Sequence, residues 1–383
     1  MYSDINTHGG RALAVRDFEQ KFADLTCSKY ALLMNSGTAA LHSAFLALGV
    51  GPGDEVLVPS YTFFATVSPI LQCGATPVFC EIDPRTLTID PADVAKKVSP
   101  RTKAISVVHV WGNPAQMDQL REIADCANLA IVEDCSHAHG ATFRDRPVGS
   151  WGDIGCFSLQ GSKAVSGGEA GVAVTSDAIL FDRMLALAHF PRPARDQAAD
   201  SYTGGPYALG LKYRPHLYAT ILAQESLKKL PELNGLRAKN LKVLCDELAD
   251  CSAVRPVEAL EGATRGGYLS FLFHYEGAHA GGWNRAAFCR AVQAEGAPLN
   301  LDRYSPLHRK PLFASTDLSS FGGALRAVTR ADIAELPVTE RTCQSLISFP
   351  AFTKVPISYI RRCARAVRKV ARVAENTSDL RTL

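Results

Sequence analysis

Residues 154–175 read Ile154-Gly-Cys-Phe-Ser-Leu-Gln-Gly-Ser-Lys-Ala-Val-Ser-Gly-Gly-Glu-Ala-Gly-Val-Ala-Val-Thr175. Two apolar runs, Ile154–Ser158 and Gly171–Thr175, flank a segment of small and polar residues that carries a single lysine, Lys163. Further runs of the same kind lie upstream at Tyr30–Met34, Glu55–Pro59, Thr76–Ile82, Ala104–Val110 and Ala130–Glu133. Several are rich in Val and Ile and apolar on both alternating faces, which is what strands buried in a mainly parallel sheet require. Between them the period lengthens. Leu41, Ala44, Phe45 and Leu48 recur at helical spacing, as do Leu120, Ile123, Ala124 and Ala127. The alternation predicts an α/β fold with a mainly parallel seven-stranded sheet and helices on both faces.

The character changes after Asp177. Residues 190–206 hold three prolines and two adjacent glycines, so the sequence predicts a long exposed loop, and loops of that length are more often functional than idle. A helix is expected over Leu217–Lys229. The remainder mixes helices with a strand candidate at Gly267–Tyr275. The expected division is a large α/β domain over 1–240 and a small α+β domain over 241–383.

Of the 383 residues, 47% are hydrophobic and 21% charged, with a formal charge of +3. That balance fits a globular chain with a sizeable core and argues against a dedicated nucleic-acid binder. The basic run Arg361, Arg362, Arg365, Arg368, Lys369, Arg372 is interleaved with Ile360, Ala364, Val367 and Ala371, which reads as the solvated face of an amphipathic helix. Eleven cysteines without any CxxC pair argue against zinc and favour a reduced, cytoplasmic chain. No signal peptide is expected, and the sequence shows no uncharged apolar stretch of membrane-spanning length.

The chemistry-bearing residues fall at strand ends. Ser36-Gly37-Thr38-Ala39-Ala40 stands where a strand meets a helix, and small residues over free N–H groups suit an anion. Asp134 closes the run 130–133, at the sheet edge where α/β folds bind ligands. There a carboxylate can pair with a protonated ring nitrogen, as pyridoxal 5′-phosphate (PLP) requires. His137 lies three residues on. Phe63, in Pro59-Ser-Tyr-Thr-Phe63-Phe64-Ala-Thr66, can stack on a planar ring. Lys163, between a buried strand and a glycine-rich turn, is well sited for a Schiff base with a carbonyl cofactor, and Ser158 offers a hydroxyl to a phosphate. Each has a plainer reading taken alone: a helix cap at Ser36, Thr38 or Asp134, a structural histidine, core packing for Phe63, a solvated loop lysine.

The order of these parts resembles the fold-type I PLP enzymes, and specifically the DegT/StrS family of sugar aminotransferases. The matching stretches are Ser36–Leu41, Pro59–Phe63, Glu133–Ala138, Phe157–Lys163 and Gly168–Gly171. They continue through Tyr213-Arg214, Pro306-Leu307-His308 and Leu336–Arg341. The resemblance implies that Lys163 carries the cofactor and shuttles a proton, with Asp134 on the ring nitrogen and His137 beside it. Phe63 would stack on the ring, and Gly37, Thr38, the Ala39 backbone and Ser158 would bind the phosphate. It also implies a homodimer with shared sites, in which the 190–214 region reaches the partner. Lys212 stands where many members carry asparagine toward the partner's cofactor phosphate, and Ala170 stands where glycine is common. Tyr304, His308, Arg214 and Lys212 are the candidates for contacting substrate.

The expected reaction is transfer of an amino group from glutamate or glutamine to a keto-sugar, nucleotide-linked keto-sugar or keto-cyclitol. The alternatives are a PLP-dependent sugar dehydratase or eliminase, whose relatives carry histidine in place of Lys163, and a PLP-binding regulator without turnover. No metal, nucleic-acid or membrane partner is expected.

Overall fold

The seven apolar runs form a single sheet, and the reason is visible in their side chains. In the computed structural model, which describes residues 13–189, 198–199, 209–314 and 335–378, the strands are β1 (Tyr30–Met34), β2 (Glu55–Pro59), β3 (Thr76–Cys80), β4 (Thr102–Val108), β5 (Ala130–Asp134), β6 (Ile154–Ser158) and β7 (Gly171–Thr175). Their order across the sheet is β1-β7-β6-β5-β4-β2-β3. All neighbours are parallel except β7, which runs antiparallel to both β1 and β6. Because β7 is reversed between them, β1 points the same way as β6, and the C-terminal ends of six strands share one edge.

Both faces are covered. On one, Leu32, Val56, Val58, Val132 and Ala173 pack against Leu41, Ala44 and Phe45 of α2 (Gly37–Ala47) and Met184 and Leu185 of α6 (Ala178–Ala188). On the other, Leu33, Phe157 and Val172 meet Phe18 and Phe22 of α1 (Leu13–Thr26). Further along that face Ile105 and Ile131 meet Val94 of α4 (Pro91–Lys97) and Leu120 and Ala124 of α5 (Met117–Ala127). Short α3 (Ser68–Gln72) lies between β2 and β3. The Ser36 cap on α2, whose hydroxyl accepts from Ala39 N, contributes about 1 kcal/mol. Burial of its two large apolar side chains, Leu41 and Phe45, contributes about 1.5–3 kcal/mol each. Packing, rather than the cap, therefore holds α2 in place.

A second, four-stranded antiparallel sheet is built from β8 (Val254–Pro256), β9 (Ser270–Tyr275), β10 (Asn300–Leu301) and β11 (Leu346–Pro350), in the order β8-β9-β11-β10. After α7 (Leu217–Lys228), helices α8 (Leu230–Leu248), α9 (Arg285–Ala294) and α10 (Ile357–Ser378) close over its core of Phe271, Phe273, Phe349, Phe288 and Val367. Ile360, Ala364, Val367 and Ala371 of α10 are buried, as their spacing implies. Arg361 and Arg368 on the opposite face pair with Glu247, and Lys369 pairs with Glu295. The two sheets are joined by a cluster in which Tyr61, Val108 and Trp111 pack on Leu272 and Leu346.

Several boundaries differ from the sequence expectation. Strand β4 stops at Val108 rather than Val110, because Trp111 turns the chain with a positive φ of 56°. Strand β9 starts at Ser270 rather than Gly267, since Gly267 and Tyr268 are both left-handed. Of the loop expected over 190–206, only residues 198 and 199 are among those described. No helix among the described residues is long and apolar enough to cross a membrane.

Candidate active site

Five strand ends open into one cavity of about 420 Å3. β1 leads into Ser36 and Gly37, β2 into Phe63, β4 into the turn bearing Trp111, β5 into Asp134 and His137, and β6 into Ser158 and Lys163. All of these but Trp111 line the cavity directly.

The turn from β1 into α2 forms by close approach. A Cβ on Gly37 would come within 2.8 Å of the Ser158 Cβ, and one on Gly171 would collide with the Ser36 carbonyl. Only glycine at both positions lets the first turn of α2 lie against the end of β6. Gly37 and Thr38 face the cavity. The Ala39 N–H is donated to Ser36 Oγ at 3.1 Å.

Asp134 is buried at 6% exposure. Its Oδ2 accepts from Thr66 Oγ1 at 2.6 Å and its Oδ1 from Ser136 N at 3.1 Å. Thr66 is itself bonded to Thr62 at 2.9 Å. The carboxylate is thus held in one orientation. Lys163 sits in the connection between the antiparallel strands β6 and β7, which Leu159 and Gly167 close by backbone bonds. Burial pulls its ammonium down from 10.5 to about 8; Asp134 opposes that and Arg303 adds to it. A lysine whose free amine is populated near neutral pH can attack a carbonyl and carry a proton.

His137 is buried, and its Nδ1 accepts from Trp111 N at 3.2 Å, which places the proton of the neutral ring on Nε2, 3.3 Å from the Tyr304 hydroxyl. Burial first, then Lys163, Arg303 and His139, push it well below the usual histidine range, so it stays neutral. Its ring lies near-parallel to Tyr304 at 6.0 Å and to Trp111 at 5.3 Å. Phe63, 46% exposed, stands at the mouth, 6.3 Å from Tyr304.

Of the expected substrate contacts, Tyr304 lines the cavity but His308 does not. The 3-10 turn Leu307–Arg309 rotates His308 into the interior, where Nδ1 bonds Ser60 Oγ at 2.6 Å and Nε2 bonds Glu340 at 2.8 Å. Its structural partners fully occupy it. Lys212 is exposed and Arg214 half-buried, both outside this cavity's wall; the Lys212 carbonyl accepts from Asn35 Nδ2 at 3.4 Å. Ala170 is fully buried where its carbonyl accepts from Leu159 N.

Thr66, Trp111 and Arg303 were not anticipated. Thr66 lay within the quoted 59–66 stretch, and its hydroxyl one helical turn after Thr62 was the available signal. Arg303 directly precedes Tyr304, but nothing in local sequence separates it from a surface arginine. A buried group of His109, Glu133 and Cys135 has metal-ligand atom types close together. Glu133 is already filled, however, accepting from His109 Nε2, Gly149 N and Gly152 N.

The sequence profile of the DegT/DnrJ/EryC1/StrS aminotransferase family matches residues 3–368. The chain is 36% identical over 344 residues to the L-glutamine:2-deoxy-scyllo-inosose aminotransferase of Streptomyces kanamyceticus, spanning 88% of this chain and 80% of that one. It is 33% identical over 372 residues to the L-glutamine:scyllo-inosose aminotransferase of Streptomyces griseus, spanning 94% and 87%. Among solved structures, that of DesI with its TDP-sugar product superposes with a TM-score of 0.81 at 31% identity, covering 98% of this chain and 88% of that one.

Proposed function

The chain belongs to the DegT/DnrJ/EryC1/StrS aminotransferase family, and from that premise we propose that it transfers an amino group from glutamine or glutamate to a keto-cyclitol, with PLP held at Lys163. The family implies the cofactor. One observation carries the reading: a lysine with a depressed pKa and a clamped, buried carboxylate face the same cavity, beside a glycine-lined helix N-terminus. Those are the three features that an aldehyde, a pyridine nitrogen and a phosphate on one small molecule would need.

When bound, the cofactor supplies an electron-withdrawing ring that lets a proton leave the carbon bearing the amino group. The protein's own groups do the rest. Gly37, Thr38 and Ser158 would hold the phosphate, the N–H groups of α2 favouring an anion. Asp134 would hold a proton on the ring nitrogen, its direction fixed by Thr66 and Ser136. Phe63 would cover one ring face at the mouth, and neutral His137 would lie beside the ring with its Nε2–H toward Tyr304. Lys163 would hold the cofactor and then move the proton at the reacting carbon, which its value of about 8 suits.

The keto-cyclitol class is supported by the long alignments with the two L-glutamine:inosose aminotransferases. A nucleotide-linked keto-sugar is the second reading, favoured by the similarity to DesI over 98% of the chain. A homodimer is part of the proposal. Tyr218, Ile221 and Leu222 share one face of α7 and are 67%, 43% and 58% exposed, an apolar surface that suits a second copy. Lys212 and Arg214 just precede it and would reach the partner's site. All eleven thiols are unpaired, which suits a cytoplasmic, reducing compartment.

The test combines borohydride trapping with turnover. Holoenzyme treated with borohydride should carry the cofactor on the peptide containing Lys163, and Lys163→Ala should not. A panel of keto-cyclitols and nucleotide-linked keto-sugars with amino-labelled glutamine, read by mass spectrometry, should give a labelled amino-cyclitol. Loss of label transfer to every acceptor, or trapping at another lysine, would overturn the proposal.

A further inference from the structure

Arg303 shares the cavity wall with Lys163, and these are its two cations among the described residues. The functions assigned above give Arg303 no task. It sits at the mouth, where solvent reaches it, yet it is held. Its guanidinium carbon lies 5.2 Å over the Trp111 ring and 5.8 Å from that of Tyr304, and the two rings stack 4.8 Å apart at 27°. The platform is itself braced. Trp111 Nε1 donates to the Tyr61 hydroxyl at 2.8 Å, which donates to Asp302 Oδ2 at 2.6 Å, and Tyr304 N donates to the same oxygen at 3.3 Å. Asp302 thus fixes the loop on which Arg303 rides.

No carboxylate of the described residues bonds this guanidinium. Two carboxylates line the cavity: Asp134 has both oxygens engaged by Thr66 and Ser136, and Glu169 makes no ion pair with Arg303. Asp302 feels the Arg303 charge, but its Oδ2 accepts from the Tyr61 hydroxyl and Tyr304 N instead of the guanidinium. A positioned cation whose N–H groups no carboxylate of the described residues takes up is suited to receive an anion from outside.

We propose that Arg303 receives the carboxylate of the amino-acid donor and so distinguishes donor from acceptor; this rests on the aminotransferase reading above. In such a reaction one cavity serves two substrates in turn. The carbon bearing the donor's amino group must come to Lys163, and a carboxylate is attached directly to that carbon. A keto-cyclitol brings only hydroxyls to the same place. A guanidinium stacked by its face on Trp111 keeps its edge N–H groups free, and their fork matches a carboxylate. Arg303 is a specificity residue on this view, acting on the donor half of the reaction and not on the acceptor half.

The test uses holoenzyme, wild type and the variants Arg303→Gln and Arg303→Lys. Single-turnover absorbance with glutamine alone gives the donor dissociation constant, and aminated enzyme mixed with the keto-cyclitol gives the acceptor constant. Calorimetric titration with glutarate, a dicarboxylate that cannot react, reads carboxylate affinity without chemistry. The Gln variant should weaken both glutamine and glutarate on the order of 10- to 100-fold, as expected for losing a charge-assisted bidentate pair. The Lys variant should recover part of that, and the acceptor constant should stay within about twofold. Unchanged glutamine and glutarate affinities in Arg303→Gln would overturn the proposal. So would a loss confined to the acceptor, which would mark Arg303 as reading an acceptor phosphate. Should wild type consume no amino donor at all, the aminotransferase reading fails, and the glutarate arm still decides whether Arg303 binds carboxylates.

Discussion

Cofactor capture should titrate near pH 8, and the reason is the burial of Lys163. Its ammonium falls from 10.5 to about 8, chiefly through desolvation. That drop corresponds to about 3 kcal/mol of disfavoured charge, at roughly 1.4 kcal/mol per tenfold. At pH 7 about one Lys163 in ten is a free amine, against about one in three thousand for an ordinary lysine. The sign follows directly. Below pH 8 each unit of acid removes nine-tenths of the nucleophile; above it the gain saturates, whereas an unperturbed lysine would keep gaining to beyond pH 10.

The assay is stopped-flow absorbance of PLP mixed with excess apo-protein, at limiting cofactor, from pH 7 to 10. The second-order constant then reports the free protein's ionisation. Its inflection should lie near pH 8. Two substitutions should move it in opposite directions. Arg303→Gln removes a charge that lowers Lys163, so the inflection rises; Asp134→Asn removes one that raises it, so the inflection falls. A rate still climbing tenfold per unit through pH 9.5, or both variants shifting the same way, would refute the assignment of burial and these two charges as the cause.

Gly171→Ala should drive a methyl into the Ser36–Gly37 backbone, costing about 1–3 kcal/mol in a urea melt and weakening cofactor binding by equilibrium dialysis. Gly235→Ala, in open space within a helix, is the control and should gain about 0.5–1 kcal/mol. Glu133→Ala orphans the buried donors Gly149 N and Gly152 N along with His109, and should lose at least about 3 kcal/mol by denaturant titration. Asp302 is raised to about 6, mainly by burial. Its folded form therefore holds a proton more tightly than the unfolded chain does, and its burial penalty is present above pH 6 and relieved toward pH 4. The stability of Asp302→Asn relative to wild type should accordingly rise as pH goes from 4 to 7 in parallel thermal melts, and a flat difference would contradict the burial of this carboxylate.

The strands were legible because continuous apolar runs such as Val56–Val58 or Val172–Val174 are buried on both faces, and the signal depends only on the residues themselves. The strand ends were legible for the same reason, which is why Ser36, Asp134, Ser158 and Lys163 could be picked out. Strand direction was not. Gly171–Thr175 reads the same forward or reversed, and the twelve-residue connection from Ser158 is long enough for either direction; that β7 runs antiparallel is not encoded in the run itself. The small sheet was largely hidden, since Val254–Pro256 and Asn300–Leu301 are too short to show a period. His308 was proposed for substrate contact only on its place in the family pattern beside Tyr304. Four residues along, a 3-10 turn points it to Ser60 and Glu340 instead, and nothing in Pro306-Leu307-His308 announces that rotation.

The residues that escaped the sequence reading share a physical feature with consequences for specificity. Gly37, Asp134, Ser158 and Lys163 lie at or close beyond the ends of strands whose position the hydrophobic core dictates, so their placement is inherited from the fold. Trp111 and Arg303 lie in loops whose course depends on a positive φ at 111 and on the Tyr61–Asp302 bond, neither of which any run of apolar residues encodes. A cavity built this way can keep its cofactor chemistry while its loops change which substrate they admit. Substitutions at Trp111 or Asp302 should then alter substrate constants while leaving the Lys163 inflection in place, whereas Arg303, whose charge also acts on Lys163, should move both. Substitutions at Gly37 or Asp134 should damage every reaction the cavity supports.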